Sequence, residues 1–581
     1  MTSSDPVLVD LGAAIDAALA AADLPPVDDP AFERPRDPDH GDWASTLALR
    51  LAKPARMAPR AIADAVVAHL DLPDAVASVE IAGPGFLNFR LSDDHNATMV
   101  RDILARGRAL RPVERTGERI NVEFVSANPT GPLHIGHGRW AAVGDAVAEL
   151  LAAVGHEVVR EYYVNDAGGQ VVTFGETLVL TARGEVLDDH HYQGRYVTRV
   201  ATQLRADWGD EIFEEEGPGD LPGWVAALGG EAVDDTDAPH GSAGDGTGRM
   251  SHRLALRVGI LGAEVMRQRL EGTLHDLGVD FDTWFSERRE LHDTDAVADT
   301  LADLEAAGAT YVEDGAVFLR TAEHGDDKDR VLVRANGVPT YFAADCAYLR
   351  NKFARADHLV YILGADHHGY VARLKAAAAC LGHPPDALEA RIGQMVNLLR
   401  DGEPAKMSKR AGTFVELSQV VDEVGADVTR YHFLRSGLDT ALDFDLARVA
   451  EQSMDNPVYY VQYAHARISS LLRTADERGF DHGTPGEADF TRLVHPAEAD
   501  LLRELDKVDE VVAAAAELRA TQRLTRYAED LAATFHRFYT ECRVLVDDVE
   551  LGRARYHLAA AARQVLADVL GLLRVSAPDR M

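Results

Sequence analysis

The stretch "RINVEFVSANPTGPLHIGHGRWAAVGDAVAELLAAVGHEVVREYYV", residues 119 to 164, decides the fold class. Ile120, Val122 and Phe124 alternate with polar neighbours as in a buried strand, a turn follows, and Arg139 to Val154 has helical periodicity. "EVVREYYV", residues 157 to 164, reads as a second strand. Strand, loop, helix, strand is the unit of a parallel α/β sheet, which presents ligands at the carboxyl ends of its strands.

Outward from this stretch the chain divides in three. Residues 1–112 read as a small α+β domain: an alanine-rich helical pattern, prolines at 25, 26, 30, 35 and 38, then "VASVEIAGPGFLNFRLS" as strands around a Gly-Pro-Gly turn. Residues 113–445 carry the α/β pattern, which resumes at "HLVYILGAD" (strand) and "GYVARLKAAAACLGH" (helix) and reaches a hairpin turn at Asp401-Gly402. Within them, residues 205–250 are acidic and rich in Gly and Pro, and predict a mobile surface insertion. Residues 446–581 lose all strand signals and predict an all-α bundle.

Composition narrows the class. At 581 residues the chain exceeds what one hydrophobic core supports. The net charge of -36, from 95 acidic and 59 basic residues, is spread along the chain, and only 7 of those basic residues are lysines. This pattern predicts a protein adapted to a salty cytoplasm. At about 1 M salt the Debye length is only about 3 Å, so acidity does not exclude a nucleic-acid partner. Cys346, Cys380 and Cys542 are odd in number and lack C-x-x-C spacing, which argues against a disulfide framework or a zinc ribbon. No basic leader opens the chain and no run of about 18 uncharged apolar residues occurs, so the expectation is a cytoplasmic, membrane-free protein with no resident metal.

The chemistry concentrates in two segments. "SANPTGPLHIGHGR", Ser126 to Arg139, joins the first strand to its helix; Gly131 and Gly136 admit a phosphate, and His134 and His137 project from one side of the first helical turn. Imidazoles placed there can donate to phosphate oxygens as charge builds on a pentavalent phosphorus. Two surface histidines at a helix cap are the plainer alternative. "KMSKR", Lys406 to Arg410, keeps two of the seven lysines three residues apart. Lysine is a compact charge on a flexible stem, suited to following a moving anion.

"HIGH" at 134–137 and "KMSKR" at 406–410, in that order across an α/β core, resemble the two signatures of class I aminoacyl-tRNA synthetases. "NVEFVSANPTGPLHIGHGR", "REYYVNDAGGQ", "YFAADCAYLRNKF", "YILGADHHGYVARLKA" and "LDFDLARVAEQSMDNPVYYVQYAHARI" further resemble the arginyl-tRNA synthetases, a likeness running from about residue 84 to the end. The resemblance implies a Rossmann-type catalytic core flanked by a tRNA-contacting N-terminal domain and a helical anticodon-binding domain. It implies a ligase acting on L-arginine, ATP with Mg2+, and tRNA(Arg), as a monomer.

By the same resemblance, His134, His137, Lys406 and Lys409 are catalytic, and Gly131, Gly136, Asp366, His367, Met407 and Ser408 join them around ATP. Glu123, Ser126, Asn128, Tyr341 and Asp345 would hold arginine; carboxylates suit a guanidinium through paired, charge-assisted hydrogen bonds. Asn88, Tyr459, Gln462, Tyr463 and Arg467 would contact tRNA. On spacing alone Tyr459 and Tyr463 are core residues of a bundle; the resemblance favours stacking on unpaired bases. The insertion between residues 183 and 330 is expected to have no editing role, because buried charges already reject amino acids lacking the guanidinium.

Overall fold

A computed structural model describes residues 5–35, 37–218, 250–405 and 415–581. At the N-terminus, β1 (Phe32–Glu33), β2 (Trp43–Ser45), β3 (Val76–Ala82) and β4 (Phe86–Leu91) form an antiparallel sheet in the order β1-β2-β4-β3. Packed with it are α1 (Pro6–Ala21), α2 (Leu47–Ala55) and α3 (Pro59–His69), whose Leu11, Ile15, Leu47, Ile62 and Val66 bury together with Phe89. Gly85 sits at φ +139 in the β3–β4 turn, where a Cβ would meet the Pro59 backbone at 2.9 Å, so the Gly-Pro-Gly reading has a steric cause.

α4 (Asp93–Arg106), capped by Ser92, leads into the parallel sheet. β5 (Arg119–Phe124), α5 (Ile135–Ala153) and β6 (Glu157–Val164) are the unit expected from residues 119–164. α6 (Gly169–Arg183), α7 (Arg195–Trp208) and α8 (His252–Asp276) then precede β7 (Thr283–Ser286). After α9 (Ala296–Ala306), a small antiparallel sheet of β8 (Thr310–Glu313), β9 (Ala316–Leu319) and β10 (Arg330–Val333) intervenes. α10 (Tyr341–Arg355), β11 (His358–Gly364), α11 (Val371–Cys380) and β12 (Leu388–Gly393) return to the main sheet. Its order is β12-β11-β5-β6-β7, every pair parallel. Chain order reverses between β5 and β11, which places the ligand crevice at their carboxyl ends.

The acidic insertion is narrower than residues 205–250. α7 continues to Trp208, a 3₁₀ turn at Asp210–Phe213 buries Ile212 and Phe213, and the Glu215 carboxylate accepts the Ser251 N–H at 3.0 Å. The acidic composition hid an amphipathic run whose Val200, Leu204, Ile212 and Phe213 feed the core. Residues 219–249 lie outside the described residues.

β13 (Val396–Arg400) and β14 (Glu403–Pro404) form the expected hairpin: Asp401 and Gly402 both have positive φ, 53° and 79°, and the Asp445 carboxylate accepts both N–H groups. α12 (Leu417–Val424), α13 (Ala426–Leu434) and β15 (Leu442–Asp445) follow, β15 pairing in parallel with β13. The rest is helical: α14 (Pro457–Glu477), α15 (Pro496–Asp506), α16 (Val508–Leu518), α17 (Gln522–Glu541) and α18 (Val549–Leu572). One continuous apolar core joins this bundle, α4 and the parallel sheet.

A buried ion pair lies at that junction. The Arg430 guanidinium on α13, fully enclosed, bonds Asp145 of α5 at 2.7 Å and the carbonyls of Leu573, Leu277 and Gly278. Arg160 of β6 holds the other Asp145 oxygen at 2.9 Å. Removing one partner of such a pair leaves an uncompensated buried charge, at a cost of about 3–5 kcal/mol. Asp145→Asn is therefore expected to lower the unfolding free energy by about that amount in denaturant titration, whereas Arg205→Gln, at a solvent-exposed pair with Asp210, changes it by less than about 1 kcal/mol.

Candidate active site

β5 ends in a strained turn. Val125 and Ser126 both have positive φ, 70° and 40°, and the Ser126 N–H donates to the Phe124 carbonyl at 3.0 Å, closing a γ-turn around a β-branched residue. Such conformations cost of order 1–3 kcal/mol each and cluster at ligand sites. The turn swings the Ser126 hydroxyl back to donate to Glu123 at 3.0 Å while it accepts the Tyr163 N–H at 3.1 Å.

The strand register assembles the floor of the crevice. Tyr361 of β11 pairs with Glu123 of β5, and Glu123 with Glu161 of β6, so all three face the same side of the sheet. α10 lies over this row with Tyr341, Asp345, Tyr348 and Lys352 at i, i+4, i+7 and i+11, one helical face. Tyr341 is 64% exposed at the crevice mouth and Lys352 is fully buried at its base. The Lys352 ammonium bonds Glu123 at 2.5 Å and lies over the Tyr361 and Tyr348 rings at 3.9 and 4.8 Å. The Tyr348 hydroxyl lies 2.8 Å from a Glu123 oxygen and 2.7 Å from a Glu161 oxygen, and Arg355 bonds Glu161 at 2.8 Å. Burial opposes the Glu161 charge, but Lys352 and Arg355 outweigh it and hold the carboxyl below its usual range.

Nearer the mouth the balance is reversed. Asp345 accepts a hydrogen bond from the Tyr370 hydroxyl, yet burial and the like charges of Glu287 and Glu123 push its carboxyl up to about 6. Glu287, itself buried, meets His292 at 3.2 Å and hydrogen-bonds the Tyr163 hydroxyl. Asn128, two residues beyond Ser126, donates its amide to Gln170 at 2.7 Å. The structure therefore gathers Glu123, Ser126, Tyr341 and Asp345 around one crevice with Asn128 at its rim, and adds Glu161, Glu287, Tyr348 and Lys352. Sequence reasoning missed these four. Tyr348 and Lys352 continue the helical stripe, and Glu161 interrupts a strand as Glu123 does, but Glu287 has no local signal.

The two histidines cap α5. His134 Nδ1 accepts the Gly136 N–H at 3.1 Å and His137 Nδ1 accepts the His134 N–H at 3.3 Å; the rings stack with centroids 3.7 Å apart. With both Nδ1 atoms accepting, the neutral rings carry their proton on Nε2, as donors. Trp140 stands edge-on to both rings, and a Cβ on Gly136 would come within 2.9 Å of the His134 ring. Gly131 lies in the turn beside the Tyr196 hydroxyl. Arg139, fully buried, fixes this helical turn to the Thr440 and Gly437 carbonyls at 2.7 Å.

Residues 406–414, and with them Lys406, Met407, Ser408 and Lys409, lie outside the described residues. Their flanks are placed: Ala405 bonds Leu398, Leu417 N–H donates to the Leu133 carbonyl at 2.8 Å, and Glu416 bridges to His134. The described flank on the carboxyl side of the second signature, Glu416 and Leu417, therefore meets the Leu133–His134 segment that opens the first. Asp366 and His367 fall in a 3₁₀ stretch, Ala365–Tyr370, at the carboxyl end of β11; their side chains are outside the described set. Among the described residues, Glu176, His190 and His191 could hold an ion, but His191 Nδ1 already accepts the Asp188 N–H at 3.1 Å, which leaves its Nε2 protonated in the neutral ring.

In the helical bundle, Arg467 lies over the rings of Tyr463 and Tyr539 at 4.6 and 5.0 Å and donates to the Tyr463 hydroxyl at 2.7 Å. They line a cavity of about 950 Å³ whose wall carries five arginines (467, 473, 478, 543 and 580) against two carboxylates, Glu541 and Asp579. Tyr539 is a member that the sequence reading lacked. Two of the residues expected to contact tRNA are buried. Gln462 does not share this face: one residue from Tyr463 is a turn of about 100°, and its buried amide donates to Asp427 at 2.9 Å and the Ser576 carbonyl at 3.0 Å. Asn88 lies within the N-terminal sheet, 7% exposed between Ala44 and Glu80. Tyr459 is half-buried against the core.

Comparison with known proteins agrees along most of the chain. Residues 10–91 match the model of the arginyl tRNA synthetase N terminal domain; residues 99–193 and 263–432 match that of the tRNA synthetases class I (R) catalytic domain. Residues 461–581 match the DALR anticodon binding domain. A protein of Frankia alni named arginine–tRNA ligase is 48% identical over 556 residues, 94% of each chain. One of the same name from Moorella thermoacetica is 44% identical over 561 residues, 95% of this chain and 93% of that protein. The solved Thermus thermophilus arginyl-tRNA synthetase, 24% identical, shares the fold with a TM-score of 0.74 over 98% of this chain and 99% of its own.

The elevated Asp345 carboxyl has a pH signature. Between about pH 4 and about 6 the folded protein keeps a proton that the unfolded chain has released, so this group lowers stability as pH rises through that window. Asp345→Asn is expected to match the parent near pH 4 and to exceed it in thermal melts at pH 7.5, by of order 1–2 kcal/mol. Calorimetric titration should show affinity for a guanidinium ligand rising through about pH 6 in the parent and lost in the variant.

Proposed function

The chain belongs to the arginyl-tRNA synthetase family, and from that membership we propose how its residues divide the work of an arginine–tRNA ligase. The reaction has two steps. A carboxylate oxygen of L-arginine attacks the α-phosphorus of ATP and the bond to pyrophosphate breaks, giving arginyl-adenylate. A hydroxyl of the terminal adenosine of tRNA(Arg), the 2'-hydroxyl in our reading, then attacks the carbonyl carbon and AMP departs.

The observation that carries the assignment of roles is the carboxylate-lined crevice at the β5–β11 switch point, beside two stacked donor histidines. Glu123, Asp345 and Glu287 receive the guanidinium, with the Tyr341 ring at its side; Ser126 orients Glu123, and Asn128 serves the α-amino group. His134 and His137 donate from Nε2 to phosphate oxygens as charge develops, over a backbone kept open at Gly131 and Gly136. Asp366 and His367 contact the nucleotide from the end of β11. Lys406 and Lys409, with Met407 and Ser408 between them, follow the departing pyrophosphate. Mg2+ enters with ATP as part of the substrate, held mainly by phosphate oxygens.

For tRNA, residues 1–112 contact the outer corner through the β3–β4 turn beside Asn88, and residues 446–581 take the anticodon arm at the Tyr463–Arg467 cavity, with Tyr459 along the same helix. Residues 113–445 do the chemistry, and the segment between 183 and 330 has no editing role. Among the described residues no helix is long and apolar enough to cross a membrane. We place the protein in a salt-rich cytoplasm, as a monomer.

The test is tRNA-dependent pyrophosphate exchange with each of the twenty amino acids in high KCl. Exchange is expected with arginine alone and only when tRNA is present; signal with another amino acid overturns the reading. Arg467→Ala should raise the KM for tRNA about tenfold, since stacking platforms contribute about 1–3 kcal/mol per base. The KM values for arginine and ATP should be unchanged, and an equal rise in all three would remove the cavity from the RNA interface.

A further inference from the structure

Lys352 is one of seven lysines in the chain and, among the described residues, the one that is wholly enclosed. An ammonium taken from water costs several kcal/mol unless its surroundings compensate, and here the compensation is specific. It bonds the inner oxygen of Glu123, Oε2, at 2.5 Å, and lies over two tyrosine rings. Glu161, the register neighbour of Glu123, is held ionised by Lys352 first and Arg355 second. Counted across the floor of the crevice, two carboxylates on adjacent strands share one lysine, and the remaining cation, Arg355, reaches only Glu161.

We propose that Lys352 is a positioning residue of the arginine site: it fixes the inner edge of Glu123 and offsets the charge of Glu161, so that the Glu123 carboxylate is held in place toward the substrate guanidinium. The proposal rests on arginine being the substrate of this crevice. Lys352 never touches arginine in this arrangement. It is separated from the cleft by Glu123, whose outer oxygen, Oε1, accepts the Ser126 hydroxyl. The other groups facing Glu123 are acidic or phenolic: Asp345 and Tyr348 from α10, Glu287 from the segment after β7, Tyr361 from β11 and Tyr163 from β6. None of them can replace a cation. Without Lys352 the Glu123–Glu161 row has a surplus negative charge in an enclosed setting, and such a pair takes up a proton shared between its members.

Three enzymes measured in the exchange assay separate this role from a structural one. Lys352→Met should raise the KM for arginine at pH 7.5 by about tenfold or more, one tenfold step for each pK unit by which the row is displaced. The KM for ATP should stay within about twofold, because the histidine pair is held by its own cap. In this variant kcat/KM for arginine should go on rising at pH values where the parent has levelled, as the row loses its extra proton. Adding Glu161→Gln restores the original charge count, and Lys352→Met/Glu161→Gln should return the KM for arginine to within about threefold of the parent, with the parent pH profile. An unchanged arginine KM in Lys352→Met overturns the proposal, as does a rise that the second substitution fails to reverse. Should the single variant not fold, the charge-balanced double variant decides alone: a KM for arginine tenfold or more above the parent refutes the role. Absence of arginine-dependent exchange in the parent would instead refute the substrate assignment, so the two failures are distinct.

Discussion

The row Tyr361–Glu123–Glu161, closed by Lys352, is the constraint on which the crevice depends. Burying carboxylates on adjacent parallel strands is tolerable only if cations arrive from the layer above, and α10 supplies them at Lys352 and Arg355. The helical period then dictates what else α10 shows. A helix whose Tyr348 and Lys352 face the sheet must place Asp345 and Tyr341 on the same side, one and two turns nearer the strand ends. Asp345 and Tyr341 are thus placed by the same packing that neutralises the floor.

The nucleotide side rests on a second fixed piece, α5. Its first turn is capped by its own histidines, and its middle lies close to the sheet because Gly144 admits the Phe124 ring where a Cβ would be 2.2 Å away. Six residues on from Arg139, Asp145 binds the helix to α13 through Arg430. From there the C-terminal residues continue the link: Ser576 N–H donates to Asp427, His465 meets the Pro578 carbonyl at 2.9 Å, and Ser469 donates to Asp579 at 2.8 Å. That path ends in the wall of the arginine-rich cavity, which contains Asp579, Arg580 and Met581. Bundle and sheet share a core and this chain of bonds, so the cavity and the crevice are held in one fixed relation.

Much of this was legible beforehand because it rests on periodicity. The alternation of Ile120, Val122 and Phe124, the helical pattern of α5 and the Asp401-Gly402 turn are local signals, and the structure realises each of them. Glu123 carries a local signal too, as a charge within the apolar strand β5. What could not be read was tertiary. The strain at Val125 contradicts the preference of a β-branched residue, so sequence argues against it. Glu287 enters the site only through the pairing of β7 with β6. Gln462 and Tyr463 differ by one position, and only the packing of α14 shows which of them faces the core.

The acidity of the chain bears on how RNA can be held. Binding that draws on counterion release weakens steeply with salt, and a surface of net charge -36 has little general attraction to contribute. The cavity at Tyr463, Arg467 and Tyr539 departs from that average, with five arginines against two carboxylates and two rings already stacked with a guanidinium. Stacking and cation–π contacts are short-ranged and little affected by screening, whereas unpaired surface charges lose their reach once the Debye length falls to a few Å. A protein that keeps carboxylates over most of its surface and gathers aromatic rings with planar cations at one cavity has, at that cavity, groups suited to short-range stacking that salt does little to weaken. The same reasoning accounts for the basic residue used. Arginine suits fixed, stacked partners, as at Tyr463 and Tyr539, and Lys352 is a compact ammonium enclosed beneath Glu123.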